Sequence, residues 1–219
     1  MHTLMKPLQI RETLLTKGVR TFTTNDFNNI FRSSSSRTKY FLERQTEEGL
    51  LIRLKQGIYA LKTDPPSDEE IANSLYRPSY ISFEYALAYW GMIPEMPYTV
   101  TSATTKPTRQ FIARNISFSY YSIKEEAYTG YTLVATNRYP AINNKGADFV
   151  EQSYLDARTF YIAEPEKALV DYLYFESLGK RLGNDRLYIK KDALNKQKLR
   201  IYALLYKRKR LVELLKEYL

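Results

Sequence analysis

Two consecutive prolines, Pro65 and Pro66, constrain the fold of this 219-residue chain more than any other feature of its sequence. Proline has no backbone N–H and a fixed φ angle, so a proline pair resists both a helix interior and a central strand. The balance of charge also changes sign at this point of the chain. The sequence therefore predicts two domains, at residues 1–62 and 67–219.

Charge is distributed unevenly along the chain, whose formal net charge is +9. Residues 1–61 carry ten Lys and Arg against five Asp and Glu, whereas residues 62–179 carry ten against fifteen. Residues 180–219 carry thirteen against four. Because basic segments attract polyanions through counterion release, nucleic acid is the first class of partner that the sequence indicates.

Several classes of enzyme are excluded by composition. The chain has no cysteine and a single histidine, His2, so we do not expect thiol catalysis, the usual zinc sites or a Ser-His-Asp triad. It also lacks glycine-rich phosphate-binding motifs and the D/E-x-K step of many metal-dependent nucleases. We therefore predict no catalytic residue, no metal site and no cofactor.

The sequence gives no indication of a membrane partner. It has no apolar run of about 18 residues, the length that a membrane helix needs. Its first residues, MHTLMKPLQIRE, lack the apolar core of a signal peptide. We therefore expect a cytoplasmic protein.

The first domain follows the order helix, short strand, helix, turn, helix and hairpin, which is that of a winged helix-turn-helix. Apolar spacing predicts a first helix over residues 8–15, and Thr24 is a predicted cap of the second helix. The third helix is predicted over about residues 36–48, with Tyr40, Phe41 and Leu42 as its apolar contributors. Two short apolar runs on either side of Lys55-Gln56-Gly57 predict the hairpin.

This pattern predicts a DNA-binding surface. In such a fold the third helix enters the major groove, while the hairpin, or wing, contacts the neighbouring backbone or minor groove. The polar and basic side chains at these two places are the predicted DNA contacts: Ser35, Ser36, Arg37, Thr38, Lys39, Arg53, Lys55 and Gln56. The alternative is a winged helix that contacts only protein.

The second domain has a mixed α/β pattern. Ser67 and Ser82 are predicted caps of two helices. Strands are predicted near residues 98–102, 111–112, 116–121, 131–135 and 159–163. A further helix begins at Pro165, where Glu164 and Glu166 complement the helix dipole and Lys167 and Asp171 form a predicted surface pair.

The chain is predicted to end in a long basic helix, over about residues 196–218. Its predicted inner face comprises Ile201, Leu204, Leu205, Leu211, Val212 and Leu215. The run Lys207-Arg208-Lys209-Arg210 interrupts this pattern and spans a full helical turn. It is equally consistent with a second contact to nucleic acid or a partner and with a solvated surface.

The whole chain resembles the AbiEi-type antitoxins of bacterial abortive-infection systems, the type IV toxin–antitoxin group. The resemblance lies in "EGLLIRLKQGIYAL", "PSYISFEYALAYWGMIPE", "YTVTSATTK" and "TFYIAEPEKALVDYLY", taken in this order and spacing. It implies an operon repressor that binds inverted repeats in its own promoter. It also implies a second domain that counteracts a nucleotidyltransferase-like toxin in phage defence, without requiring a stable complex.

Two consequences complete the prediction. One winged helix contacts few base pairs, so we expect two protomers, or a cooperative pair, on the inverted repeat. The alternative function is a nuclease or nucleotide-modifying enzyme that the winged helix guides to DNA, with Glu164 or Glu166 needed for metal-dependent turnover. The resemblance supplies no catalytic residue to carry over.

Overall fold

The computed structural model describes residues 6–136, 158–180, 187–188 and 194–216, so His2 lies outside the described residues. These residues form eight α-helices and nine β-strands in two separate sheets, which confirms the predicted α+β class. The chain groups into two compact units: Met1–Leu75 with Ala135–Thr159, and Tyr76–Val134 with Phe160–Leu219. None of the described helices combines the length and apolar composition that a membrane crossing requires.

The first unit begins with the predicted order of helix, strand, two helices and hairpin. Its elements are α1 (Pro7–Thr16), β1 (Thr21–Thr23), α2 (Thr24–Phe31), α3 (Ser35–Glu47), β2 (Leu51–Lys55), β3 (Ile58–Leu61) and α4 (Asp68–Leu75). The strands form one antiparallel sheet in the order β1-β3-β2, so a hairpin strand occupies its centre. The register between β2 and β3 shifts between Arg53 and Lys55, which is the position of a bulge near the turn.

An aromatic cluster joins the helices of the first unit to its sheet. The ring of Phe27 on α2 lies 5.6 Å from that of Phe41 on α3 and 5.8 Å from that of Phe22 on β1. Phe22 also lies 6.2 Å from Tyr59 on β3. Burying one phenylalanine contributes about 1.5–3 kcal/mol, so this cluster fixes α3 against α2 and the hairpin.

Two details of the predicted helices need correction. The cap of α2 is Thr23 rather than Thr24, because Thr23 and Asp26 exchange bonds of 3.1 and 2.8 Å in a reciprocal capping box. On α1 only Ile10 and Leu14 are buried, whereas Leu8 and Leu15 are exposed. Positions four apart share one helical face, which explains why this pair alone enters the core.

The segment around the two prolines is fixed by four charged side chains of the first unit. Arg20 Nε lies 3.1 Å from Asp64 Oδ2, and Arg158 Nη1 lies 3.1 Å from Glu70 Oε2. The cross pairs, Arg20 with Glu70 and Arg158 with Asp64, are 3.7 and 3.6 Å apart. Arg158 also donates a 2.8 Å hydrogen bond to the carbonyl of Pro65. The proline segment is therefore bound on both sides.

Ser67 caps α4 as predicted. Its hydroxyl accepts a 3.3 Å bond from the backbone of Glu70, whose carboxylate accepts a 2.8 Å bond from the backbone of Ser67. Helix α4 belongs to the first unit, which consists of two segments of the chain, Met1–Leu75 and Ala135–Thr159. The folding domains expected at residues 1–62 and 67–219 stay a prediction.

The second unit is built on a six-stranded mixed sheet. Its elements are β4 (Ser79–Ile81), α5 (Phe83–Tyr89), β5 (Thr99–Thr104), β6 (Arg109–Ala113), β7 (Ile116–Ser122), β8 (Tyr131–Thr136), β9 (Arg158–Ala163), α6 (Pro165–Ser177), α7 (Lys196–Leu205) and α8 (Lys209–Leu215). The last two residues of β8 and the first two of β9, which include Arg158, group with the first unit. The sheet order is β6-β7-β5-β4-β9-β8, with β5 parallel to β7 and β4 parallel to β9. The predicted strands β5 to β9 are confirmed, whereas β4 was not predicted.

The prediction of one long C-terminal helix is wrong, because the segment forms two shorter helices. The chain leaves α7 at Tyr206, takes a left-handed conformation at Lys207 (φ 49°) and starts α8 at Lys209. Leu211 and Leu215 are buried as predicted, but Ile201, Leu204 and Val212 are exposed. The break lets both Tyr206 and Arg208 contact α6. In one straight helix, residues two positions apart would point to nearly opposite sides. Residues 217–219 lie outside the described part.

Candidate nucleic-acid interface

The candidate interface is formed by α3 and the turn that joins it to α2. Arg32 ends α2 in a left-handed conformation (φ 49°), and its N–H bonds to the carbonyl of Asn28. Ser33 N–H bonds to the same carbonyl at 3.2 Å. Because α3 begins at Ser35, the two helices are separated by a turn of three residues, the spacing that a helix-turn-helix uses.

The buried face of α3 differs from the predicted one. Phe41 and Leu42 are buried as predicted, but Thr38 is also fully buried and Tyr40 is 66% exposed. Thr38 lies one helical turn before Phe41 and Leu42, on the same face, and Tyr40 lies on the opposite face. Thr38, a predicted DNA contact, is therefore absent from the exposed face of α3, whereas Tyr40 belongs to the solvent-facing surface.

The exposed face of α3 changes its charge along the helix. Ser35, Ser36, Arg37 and Lys39 are exposed in the first turn and a half, which has no acidic residue. The second half contains the acidic residues Glu43, Glu47 and, at its C-terminal cap, Glu48. The positive potential of the helix N-terminus adds to that of the two cations. An anion would therefore bind at the start of α3 rather than at its end.

The serines before and at the start of α3 form a hydroxyl-rich edge. Asn28 Nδ2 lies 3.5 Å from Ser35 Oγ, and the hydroxyls of Ser34 and Ser36 are also 3.5 Å apart. The side chain of Ser34, the N-cap residue, makes no capping bond to the helix. Hydroxyls and helix-start N–H groups in this arrangement are suitable donors for phosphate oxygens.

A third cation on α3, Arg44, is paired within the helix. Its Nε lies 2.7 Å from Glu48 Oε1, one turn further along. The bond to Glu48, and more weakly one to Tyr40, raises the pKa of Arg44, and the same ion pair lowers the pKa of Glu48. These contacts link Tyr40, Arg44 and Glu48 along one side of α3.

The hairpin presents some, but not all, of its predicted contacts to solvent. Arg53 and Gln56 are exposed, and Gly57 has the positive φ of 79° that the tight turn requires. Lys55 is half-buried, and its ammonium donates a 3.2 Å bond to the carbonyl of Leu75. Lys55 therefore has a structural contact within the first unit, and the exposed polar part of the hairpin is Arg53 with Gln56.

The basic run near the C-terminus has mixed roles. Arg208 donates bonds of 2.8 and 2.6 Å to the hydroxyl and carbonyl of Ser177, so it holds the start of α8 against α6. Lys207 forms an exposed pair with Glu126 at 3.5 Å. Lys209 and Arg210 are exposed. Only part of this run is therefore oriented as a solvent-facing cationic surface.

Glu164 and Glu166, the carboxylates that the alternative enzyme function would need, are hydrogen-bonded within the second unit. Glu164 Oε2 accepts bonds from Lys198 at 2.7 Å and from the Tyr202 hydroxyl at 2.9 Å, and the Lys198 bond lowers the pKa of Glu164. Glu166 Oε1 accepts a 2.8 Å bond from the backbone of Asn195. Both carboxylates thus hold the start of α7 to α6.

The surface pair predicted for Lys167 and Asp171 is wrong, because both side chains are fully buried. The Lys167 ammonium pairs directly with Asp171 and lies 3.1 Å from the Tyr206 hydroxyl. Asp171 also accepts hydrogen bonds from Tyr206 at 2.5 Å, Ser82 at 2.7 Å and Tyr80 at 3.1 Å. Ser82 is the N-cap residue of α5, but its hydroxyl serves Asp171 instead of capping the helix.

One sequence signal could have identified this buried pair. The stretch from Ala168 to Phe175 is otherwise apolar or aromatic on every side of the helix. A helix that is apolar all round is buried, so a charge inside it requires a buried partner. The exposure of Tyr40 has no comparable signal, since the sequence alone leaves the rotation of α3 open.

Comparison with known proteins gives no identification. No protein-family model matches the chain, and no curated protein matches it significantly. The resemblance to AbiEi-type antitoxins therefore depends on the sequence motifs themselves.

Proposed function

We propose that this protein is a DNA-binding repressor whose first unit is a winged helix-turn-helix. In this proposal α3 is the recognition helix, and the β2–β3 hairpin is the wing. The three-residue turn after α2, the aromatic contacts behind α3 and the exposed Arg53 and Gln56 at the hairpin support it. Occupation of the promoter would then block transcription.

One observation carries the proposal. The solvent-facing start of α3 has two cations, Arg37 and Lys39, and two serines without any carboxylate, whereas the acidic residues gather at its end. A groove of DNA is lined by phosphates, so a helix with this polarity is favoured to enter by its N-terminal half. The helix dipole favours acidic residues at the start of a helix and basic residues at its end, so helix stability does not explain this separation of charge.

We further propose the antitoxin role that the family resemblance implies. The motif "EGLLIRLKQGIYAL" covers the hairpin, and "TFYIAEPEKALVDYLY" covers most of β9 and α6. In this proposal the protein represses its own operon from inverted repeats, as two protomers, and counteracts a nucleotidyltransferase-like toxin in the cytoplasm. A neighbouring gene for such a toxin, with rescue of its toxicity by co-expression, is the test of this part.

DNA binding is tested by titrating the full chain against a labelled duplex from upstream of its own gene. We expect binding to that duplex to be stronger than to a shuffled duplex of the same length. We also expect log K to fall linearly with log salt, because each neutralised phosphate releases about 0.9 counterion. Equal affinity for the two duplexes, or an affinity that salt does not change, would contradict the proposal.

A further inference from the structure

The orientation of α3 separates its exposed side chains into a centre and two flanks. Its buried residues are Thr38, Phe41, Leu42 and Gln45. With about 100° between successive residues, Ser36, Tyr40, Glu43 and Glu47 lie within about 30° of the line opposite this buried face. These four side chains therefore point directly away from the core of the first unit, and Glu47 is the last residue of the helix.

The cations of α3 occupy its two flanks. By the same geometry, Arg37 lies about 90° to one side of the outward line and Lys39 about 70° to the other. Arg44 shares the flank of Arg37 and is paired with Glu48. A helix in the major groove directs its centre line to the base edges and its flanks to the two phosphate backbones.

We infer that Ser36, Tyr40 and Glu43 contact the bases, whereas Arg37 and Lys39 contact the phosphates on opposite walls of the groove. This inference depends on the proposed function and assigns the roles within it. From Ser36 to Glu43 the helix rises about 10 Å, which matches about three base-pair steps of 3.4 Å. The three side chains would therefore recognise a short run of adjacent base pairs.

The chemistry of each side chain indicates the base it would recognise. A carboxylate at Glu43 accepts a hydrogen bond from the amino group of cytosine, and the apolar ring of Tyr40 packs against the methyl group of thymine. The Ser36 hydroxyl serves as donor or acceptor and discriminates less. Tyr40 lies one helical turn before Arg44, which pairs with Glu48 at 2.7 Å.

Selection from a pool of randomised duplexes, with the full chain, tests this assignment. Glu43→Gln should change the preferred base at one position from cytosine to adenine, because a glutamine amide pairs with adenine. Tyr40→Ala should lower the preference for thymine at a neighbouring position. We expect the affinity ratio between the selected site and its single-base variant to fall about five- to a hundred-fold in each case.

The flanking cations should behave differently. Arg37→Ala and Lys39→Ala should leave the selected sequence unchanged, weaken binding to all duplexes equally and each lower the salt slope by about 1. Lys17→Ala, which removes an exposed cation at the end of α1, is the matched control and should change neither quantity. All five variants replace exposed side chains, and thermal unfolding will verify that each remains folded.

The outcomes separate the inference from the function on which it depends. If the wild-type chain enriches no sequence, both are rejected. If it enriches a sequence that Tyr40→Ala and Glu43→Gln leave intact, the function stands and the assignment is overturned. A Glu43→Gln variant that binds every duplex more tightly by the same factor would also overturn it, since Glu43 would then only repel phosphate.

Discussion

At the scale of single residues, the buried Lys167–Asp171 pair is the strongest departure from ordinary surface chemistry. Removing each charge from water costs several kcal/mol, and the attraction between them offsets this only when the remaining polar atoms are bonded. Each oxygen of Asp171 has two donors: Lys167 and Tyr206 on one, Tyr80 and Ser82 on the other. The carboxylate of Asp171 is therefore hydrogen-bonded on both oxygens where it lies.

This network predicts a loss of stability in alkali. Burial, and then the charge of Asp171, raises the pKa of Tyr80 and Tyr206 well above that of an unfolded tyrosine. Above about pH 10 the unfolded chain binds fewer protons than the native one, so the free energy of unfolding falls, by about 1.4 kcal/mol per pH unit per tyrosine. Burial lowers the pKa of Lys167. This shift makes the free energy of unfolding rise with pH, but only below about pH 10.4, the pKa of an unfolded lysine.

Urea denaturation at pH 10.5 and 11.5 measures this effect. In Tyr206→Phe the free energy of unfolding should fall less steeply with pH than in the wild type, by about 1.4 kcal/mol per pH unit, which corresponds to one proton. Tyr98→Phe is the control, since the side chain of Tyr98 is fully exposed, and it should leave the slope as it is. Identical slopes for the wild type and Tyr206→Phe would show that Tyr206 does not retain its proton in the native protein.

At the scale of elements, local signals predicted where most helices and strands lie but not how each helix is rotated. The cap at Ser67 follows from short-range chemistry, which the sequence carries in full. The exposure of Tyr40 and the burial of Thr38 depend on which face of α3 meets Phe27 across the core. That choice is made by contacts between elements, and both faces of α3 carry aromatic residues.

The break between α7 and α8 leads to a prediction on Lys207. Its φ of 49° lies in the left-handed region, where a side chain costs about 1 kcal/mol and glycine costs little. We therefore expect Lys207→Gly to be more stable than Lys207→Ala by about 1 kcal/mol in chemical denaturation. Both variants lose the same surface pair with Glu126, so the comparison isolates the backbone. If this segment were one continuous helix, Lys207→Ala would instead be the more stable variant, because alanine favours a helix interior over glycine by a similar free energy.

At the scale of the whole molecule, the two prolines do not have the role that their sequence indicates. A proline pair where the charge changes sign suggests an exposed linker. In the structure Asp64 and Glu70, on either side of the prolines, are bound by Arg20 and Arg158. Arg158 lies 93 residues from Pro65, the carbonyl of which it binds. No local pattern could have predicted a partner at this distance along the chain.

This cluster predicts that Arg158 is important for the stability of the first unit. Arg158→Ala removes one of the two cations that pair with Asp64 and Glu70, and we expect a loss of about 3 kcal/mol, as for other buried pairs that lose one partner. Arg44→Ala, which removes an exposed partner of Glu48, is the control and should have no measurable effect on stability. Denaturant titration of both variants provides the comparison, and equal stabilities would contradict a structural role for Arg158.

The candidate interface was predicted in part from the sequence. The start of α3 and the hairpin were identified from their cations and caps, and Ser35, Ser36, Arg37, Lys39, Arg53 and Gln56 are exposed there. Thr38 and Lys55 were included because sequence position alone does not distinguish an outward side chain from a buried or bonded one. The exposure of Tyr40 and Glu43 on the outward face of α3 was not predicted, for the same reason.

The position of Tyr206 also bears on how the protein is made. Tyr206 is synthesised 35 residues after Asp171, the carboxylate to which it donates. A chain that ends before Tyr206 therefore holds Lys167 and Asp171 with one hydrogen-bond donor absent. Such a truncated product would leave its internal ion pair open to water, which makes it a natural substrate for quality-control proteases.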